Sequence, residues 1–100
     1  MSRRLKSIEY LKAPESLNPE NDNIDVWIEL EDEKKYSLLL ATPNNIFWCM
    51  ENEGIDYFFS WPAPLFVKTL TADNVAEAVR ALCAEAHEEQ FNSYAVLQSS

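Results

Sequence analysis

Ile24-Asp25-Val26-Trp27-Ile28-Glu29-Leu30-Glu31 is the stretch on which the fold turns. Ile24, Val26, Ile28 and Leu30 alternate with Asp25, Trp27, Glu29 and Glu31. Successive side chains of a strand point to opposite faces, so these residues predict a strand with one apolar face and one acidic face carrying an indole. Asp32-Glu33-Lys34 separates it from Tyr36-Ser37-Leu38-Leu39-Leu40-Ala41, a second strand, and a hairpin is the economical connection. The turn has no Gly, which leaves its type open.

Upstream, residues 4 to 11 place Leu5, Ser7, Glu9 and Leu11 on one parity and Arg4, Lys6, Ile8 and Tyr10 on the other. A first strand with imperfect alternation is expected there. Ala13 to Asn23 holds two prolines and a cluster of Asn, Asp and Ser, the composition of a loop. Downstream, Thr42 can cap a helix, Pro43 suits its first position and Gly54, the one glycine, suits a left-handed C-terminal cap. The helix is expected over 46–53, with Ile46, Phe47, Cys49 and Met50 as its apolar face. Ile55 to Trp61 is an aromatic connector closed by Pro62-Ala63-Pro64, and Leu65 to Leu70 predicts another strand. A second helix starts from a Thr71 cap, with Val75, Val79, Leu82, Cys83 and Ala86 at helical spacing, and ends by Glu88-Glu89-Gln90. Phe91 to Leu97 is expected as a last short strand or a docked extension. The order β-β-β-α-β-α, with a possible final strand, predicts a single α+β domain over 1–100. Its sheet is antiparallel or mixed, of four to five strands, with two helices on one face.

The chain's 100 residues can bury one core without metal or disulfide staples, and 47% hydrophobic content with twelve aromatics argues against disorder. Seventeen acids against eight bases give a net charge of −9. Phosphates are repelled by such a surface, so neither nucleic acid nor an anionic membrane is an expected partner, and a basic protein is. Residues 1–12 carry four bases and one acid, 13–67 eleven acids and two bases, and 68–100 five acids and two bases. The negative field is therefore concentrated in the middle. Polar residues interrupt the apolar segment that a signal peptide needs after Arg3-Arg4, and no apolar run approaches the ~20 residues that cross a bilayer. Cys49 and Cys83 stand 34 positions apart without a paired ligand, as buried free thiols of a cytoplasmic protein do.

On the β-face, Asp25, Glu29 and Glu31 flank Trp27. That face serves either as a solvated surface or as an acidic ribbon that meets a basic partner with an aromatic anchor. Phe47, Trp48, Tyr57, Phe58, Phe59, Trp61 and Phe66 lie within twenty residues, and most of these rings are expected in the core. One or two are left over, Trp61 or Tyr57, beside Glu51, Glu53 and Asp56, as an interaction patch. Residues 18–29 have oxygens at alternate positions as a calcium loop does, but lack its sixth-place Gly and its flanking helices, so no metal is expected. His87 is the single histidine, placed at a helix end, and one glycine cannot build a nucleophile elbow or a phosphate loop. No catalytic residue and no cofactor are expected.

Leu5 to Leu11, Asp25 to Asp32, Tyr36-Ser37, Ala41 to Ile46, Met50 to Gly54 and Phe66 to Thr71 together resemble a group of small acidic bacterial proteins of unassigned function, across nearly the whole chain. In size and charge the chain also looks like the immunity proteins that neutralise bacterial toxins. The resemblance implies a non-catalytic, acidic protein-binding domain, an immunity-type inhibitor of a basic toxin, and carries over no site residues. The alternatives are a small enzyme or ligand-binding domain with an aromatic-lined pocket between sheet and helices, or a self-assembling accessory domain. Monomer and homodimer are both compatible with the sequence.

Overall fold

A computed structural model describes residues 3–13 and 16–98 of the chain. Pro14 and Glu15, within the expected loop, lie outside the described residues, as do positions 1, 2, 99 and 100. The alternating stretch forms β2 (Asn23–Leu30), which buries Ile24, Val26, Ile28 and Leu30 and leaves Asp25 and Trp27 on the exposed side. β1 (Leu5–Tyr10) and β3 (Lys35–Ala41) flank it in antiparallel register, so Trp27 sits between Glu9 and Ser37. The imperfect alternation in β1 has a structural cause: the register shifts between Leu5 and Ser7. An extra residue in the ladder resets side-chain parity, and Leu5 and Ile8, three positions apart, both pack against the core.

The β2–β3 turn closes without glycine because Glu33 takes a positive φ of 71°. Its N–H donates to the Leu30 carbonyl (2.9 Å), and Asp32 Oδ1 accepts from the Lys34 N–H (3.0 Å). β4 (Leu65–Phe66) lies parallel beside the end of β3, and β5 (Val96–Leu97) lies antiparallel beside its beginning. The sheet is thus mixed and five-stranded, in an α+β architecture with three helices. β4 is shorter than the expected Leu65–Leu70 strand. The Val67 N–H still reaches Ala41 O (3.0 Å), but the Leu70 N–H turns away to Pro19 O (2.8 Å) and ties down the long loop.

α1 (Pro43–Glu53) begins at Thr42, whose hydroxyl accepts from the Asn45 N–H, and ends at Gly54 with φ 71°. α2 (Ala72–Glu85) begins the same way at Thr71. Leu17, Val67, Leu70, Val75, Val79, Leu82, Cys83 and Phe91 close the core over the apolar sheet face, each large aliphatic side chain contributing about 1.5–3 kcal/mol on burial. The second helix does not run unbroken to Glu88-Glu89-Gln90. α2 stops at Glu85, and His87 Nδ1 accepts from the Gln90 N–H (3.4 Å) to start α3 (Glu88–Tyr94). This restart turns Phe91 into the core, where it meets Tyr36 edge to face at 5.0 Å.

Candidate functional site

α1 contributes no side chain to the core cluster, and Asn45 is its one buried residue. Polar bonds position it instead. Asn45 Oδ1 accepts from Asn23 Nδ2 (2.9 Å), Asn45 Nδ2 donates to Asn21 Oδ1 (3.2 Å), and Asn44 Nδ2 donates to Glu20 O (3.4 Å). These bonds fasten the start of α1 to the loop before β2, and of the helix's apolar residues Ile46, Cys49 and Met50 are half-buried while two rings point outward. Five consecutive apolar residues, Ile46 to Met50, go around such a helix rather than along one side of it, and both Phe47 and Trp48 are exposed.

The expectation that most of the rings between 47 and 66 fill the core is therefore overturned. Phe47, Trp48, Tyr57, Phe58, Phe59, Trp61 and Phe66 are all exposed, Phe59 by 84% and Trp61 by 76%. The core takes Phe91 and, at its margin, Tyr10, Tyr36 and Tyr94. A connector of extended and turn backbone has no regular apolar side to offer a core, and the space above the sheet is already filled by α2 and α3. Within the connector Tyr57 and Phe59 stand nearly parallel, 6.2 Å apart, and the Ala63 N–H is held by Ser93 O (3.0 Å). That bond brings the connector to the end of α3, beside a groove of about 340 Å³ between β4 and α2. Leu65, Phe66, Leu82 and Tyr94 line the groove, with Glu85 among them.

The acids occupy the places their spacing suggests. Asp25, Glu31, Glu51, Glu53 and Asp56 are exposed, and Glu29 is half-buried in an ion pair with Lys6 (3.4 Å). Trp27 is 39% exposed, so it is part platform and part surface. Tyr57 and Trp61 join Glu51, Glu53 and Asp56 in one exposed segment, whereas Asp25, Trp27 and Glu29 form a separate strip on the sheet and Glu31 lies past the end of β2, in the turn. The residues that the sequence hid are Phe47, Trp48, Phe58, Phe59 and Phe66. Their signal lay in the unbroken apolar run on α1 and in a connector bounded by two prolines, neither of which can bury all its rings.

The other candidates resolve into structure. Asp22 uses both carboxylate oxygens to accept from the Asn18 and Asn23 N–H groups (3.1 and 2.8 Å), and Asn18 Oδ1 accepts from the Glu20 N–H (3.2 Å). The oxygens of the calcium-like loop thus close its own turns. Among the described residues, no cluster of three His, Cys, Asp or Glu side chains could hold a metal ion, and no helix is long and apolar enough to cross a membrane. Both cysteines are free. Cys83 is buried, and desolvation pushes its thiol pKa above the ordinary 9.0 against a smaller opposing pull from Arg3. Cys49 is only half-buried, on the outward-facing α1, not buried as its sequence context suggests.

No family model, characterised protein or solved structure matches the chain.

Proposed function

We propose that the chain is a non-catalytic binding domain that recognises a basic protein through its exposed aromatic segment, and that it acts in the cytoplasm as an immunity-type inhibitor covering the cationic site of a toxin. One observation carries this reading: all three tryptophans and four of the five phenylalanines are exposed. At ~150–250 Å² per ring, the seven exposed rings between 47 and 66 present on the order of 800 Å². One side of a standard protein interface is about 800 Å². Charge selects the partner. Residues 13–67 hold eleven acids against two bases, so a second copy of the chain meets like charge, whereas a basic protein is steered in. The groove beside Phe66 suits the aliphatic stem of a Lys or Arg, with Glu85 near its charged head.

Capture from a bacterial lysate with the wild type, compared with a Tyr57→Ser/Phe59→Ser/Trp61→Ser variant, tests the proposal. Retention of one basic protein by the wild type and its loss from the variant supports it. Retention by both, or a wild type that sediments as a dimer while the variant is monomeric, counts against it and favours a different face or self-assembly.

A further inference from the structure

At the hairpin end of the sheet lies a cavity of about 680 Å³. It is bounded by the start of β1, the β2–β3 turn and the α2–α3 junction. The six residues of β3 from Tyr36, which lines it, to Ala41, where α1 departs, put roughly 17 Å of strand between the cavity and the start of α1. The cavity's charge is unlike that of the rest of the molecule. Arg3, Arg4 and Lys34, three of the eight bases, line it together with Glu31, Asp32 and Glu88, so its wall is balanced in a protein of net −9.

Arg3 is the distinctive member. Its guanidinium lies 4.1 Å from the centroid of the Phe91 ring, and Nη1 donates to Ala86 O at 2.8 Å. That carbonyl bond is its one side-chain hydrogen bond, and neither ion pair, Lys6–Glu29 or Lys12–Asp22, involves it among the described residues. A half-buried cation, held over a ring with most of its five N–H donors uncommitted, lines a cavity of the size that takes small ligands. Guanidinium forks match carboxylate geometry. The acids Glu31, Asp32 and Glu88 are exposed, so they disfavour an anion of higher charge, while Tyr36 and Ala86 give an apolar wall.

We infer that this cavity binds a small organic monocarboxylate, with the carboxylate on Arg3 and an apolar body against Tyr36 and Ala86. The cavity shares Ala86 with the groove beside Phe66 but takes Arg3 and Tyr36 alone, and its test uses no protein partner, so either proposal can fail without the other. The test is a backbone amide NMR titration of the wild-type protein with 3-phenylpropionate, with its neutral amide 3-phenylpropanamide and with inorganic phosphate. Each is taken to about 10 mM, a range that includes weak fragment binding. The acid is expected to give saturable shifts centred on Leu30, Tyr36, His87 and Phe91, with the amide and phosphate each weaker by roughly tenfold or more. Arg3→Met, checked for folding by its spectrum, is expected to abolish the acid's effect. No saturable shift at these residues with the acid overturns the inference. So does an amide that binds as well, because the charge then contributes nothing, or a phosphate that binds as well, because the apolar body then contributes nothing.

Discussion

Replacing Phe59 and Phe91 by Ala, one at a time, separates a surface aromatic from a core aromatic in the same protein. Phe59 is 84% exposed, which leaves roughly 30 Å² of its ring area covered. At about 25 cal/mol per Å² that burial is worth ~0.8 kcal/mol. Phe91 is 1% exposed, perpendicular to the Tyr36 ring and with the Arg3 guanidinium over its ring. Its removal costs the transfer free energy and leaves a cavity, about 3–5 kcal/mol together. In a domain of this size each kcal/mol moves Tm by about 4–8 °C, so Phe59→Ala is expected to lower Tm by no more than about 6 °C and Phe91→Ala by at least about 12 °C. Urea unfolding followed by far-ultraviolet circular dichroism gives the free energies, provided the slope with denaturant is unchanged. A cost of about 2 kcal/mol or more for Phe59→Ala would refute the placement of the aromatic segment at the surface.

Iodoacetamide is expected to label Cys49 well before Cys83 in the native protein, and mass mapping after timed quenching checks the order; the reverse order would displace α1 from the surface. Burial raises the folded-state pKa of Cys83, so its stabilising contribution is whole below the unfolded thiol value and is lost as pH rises through the folded one. Urea midpoints above pH 9.0 are therefore expected to fall less steeply in Cys83→Ala than in the wild type. Gly54→Ala meets no atom within 4 Å but must hold φ at +71°, so a loss of about 1 kcal/mol is expected from backbone strain alone, measured by the same urea titration. Asp25→Ser/Glu29→Ser/Glu31→Ser is expected to change stability by less than about 1 kcal/mol, because it trades the partly solvated Lys6–Glu29 pair against relief of like-charge repulsion.

Most of the sheet was legible because strand alternation and helix caps are local signals. The inward parity of Ile24 to Leu30, the Thr42, Pro43 and Gly54 signals of α1 and the Thr71 cap of α2 all appear where the residues suggest. β1 was blurred by its register shift, and α3 by a His87 cap that looked like the end of one helix rather than the start of another. The surface was harder. Hydrophobicity identifies rings that avoid water but not whether the chain's own core or another protein covers them. Phe91, one of two rings in the C-terminal stretch, is buried, while the dense cluster from Phe47 to Phe66 is exposed. Trp27 shows the same ambiguity on a smaller scale, since its strand parity was clear but its half-covered state depends on Glu9 and Ser37 from neighbouring strands.

The most direct test of the central claim is the affinity of the captured basic partner for wild type and for Phe59→Ser/Trp61→Ser, measured calorimetrically at low and high salt. Loss of two exposed aromatic anchors is expected to weaken binding by roughly a hundredfold or more while leaving the salt dependence unchanged, because the acids that set that dependence remain. An affinity equal to that of the wild type at both salt concentrations would contradict the assignment of residues 47–66 as the binding surface.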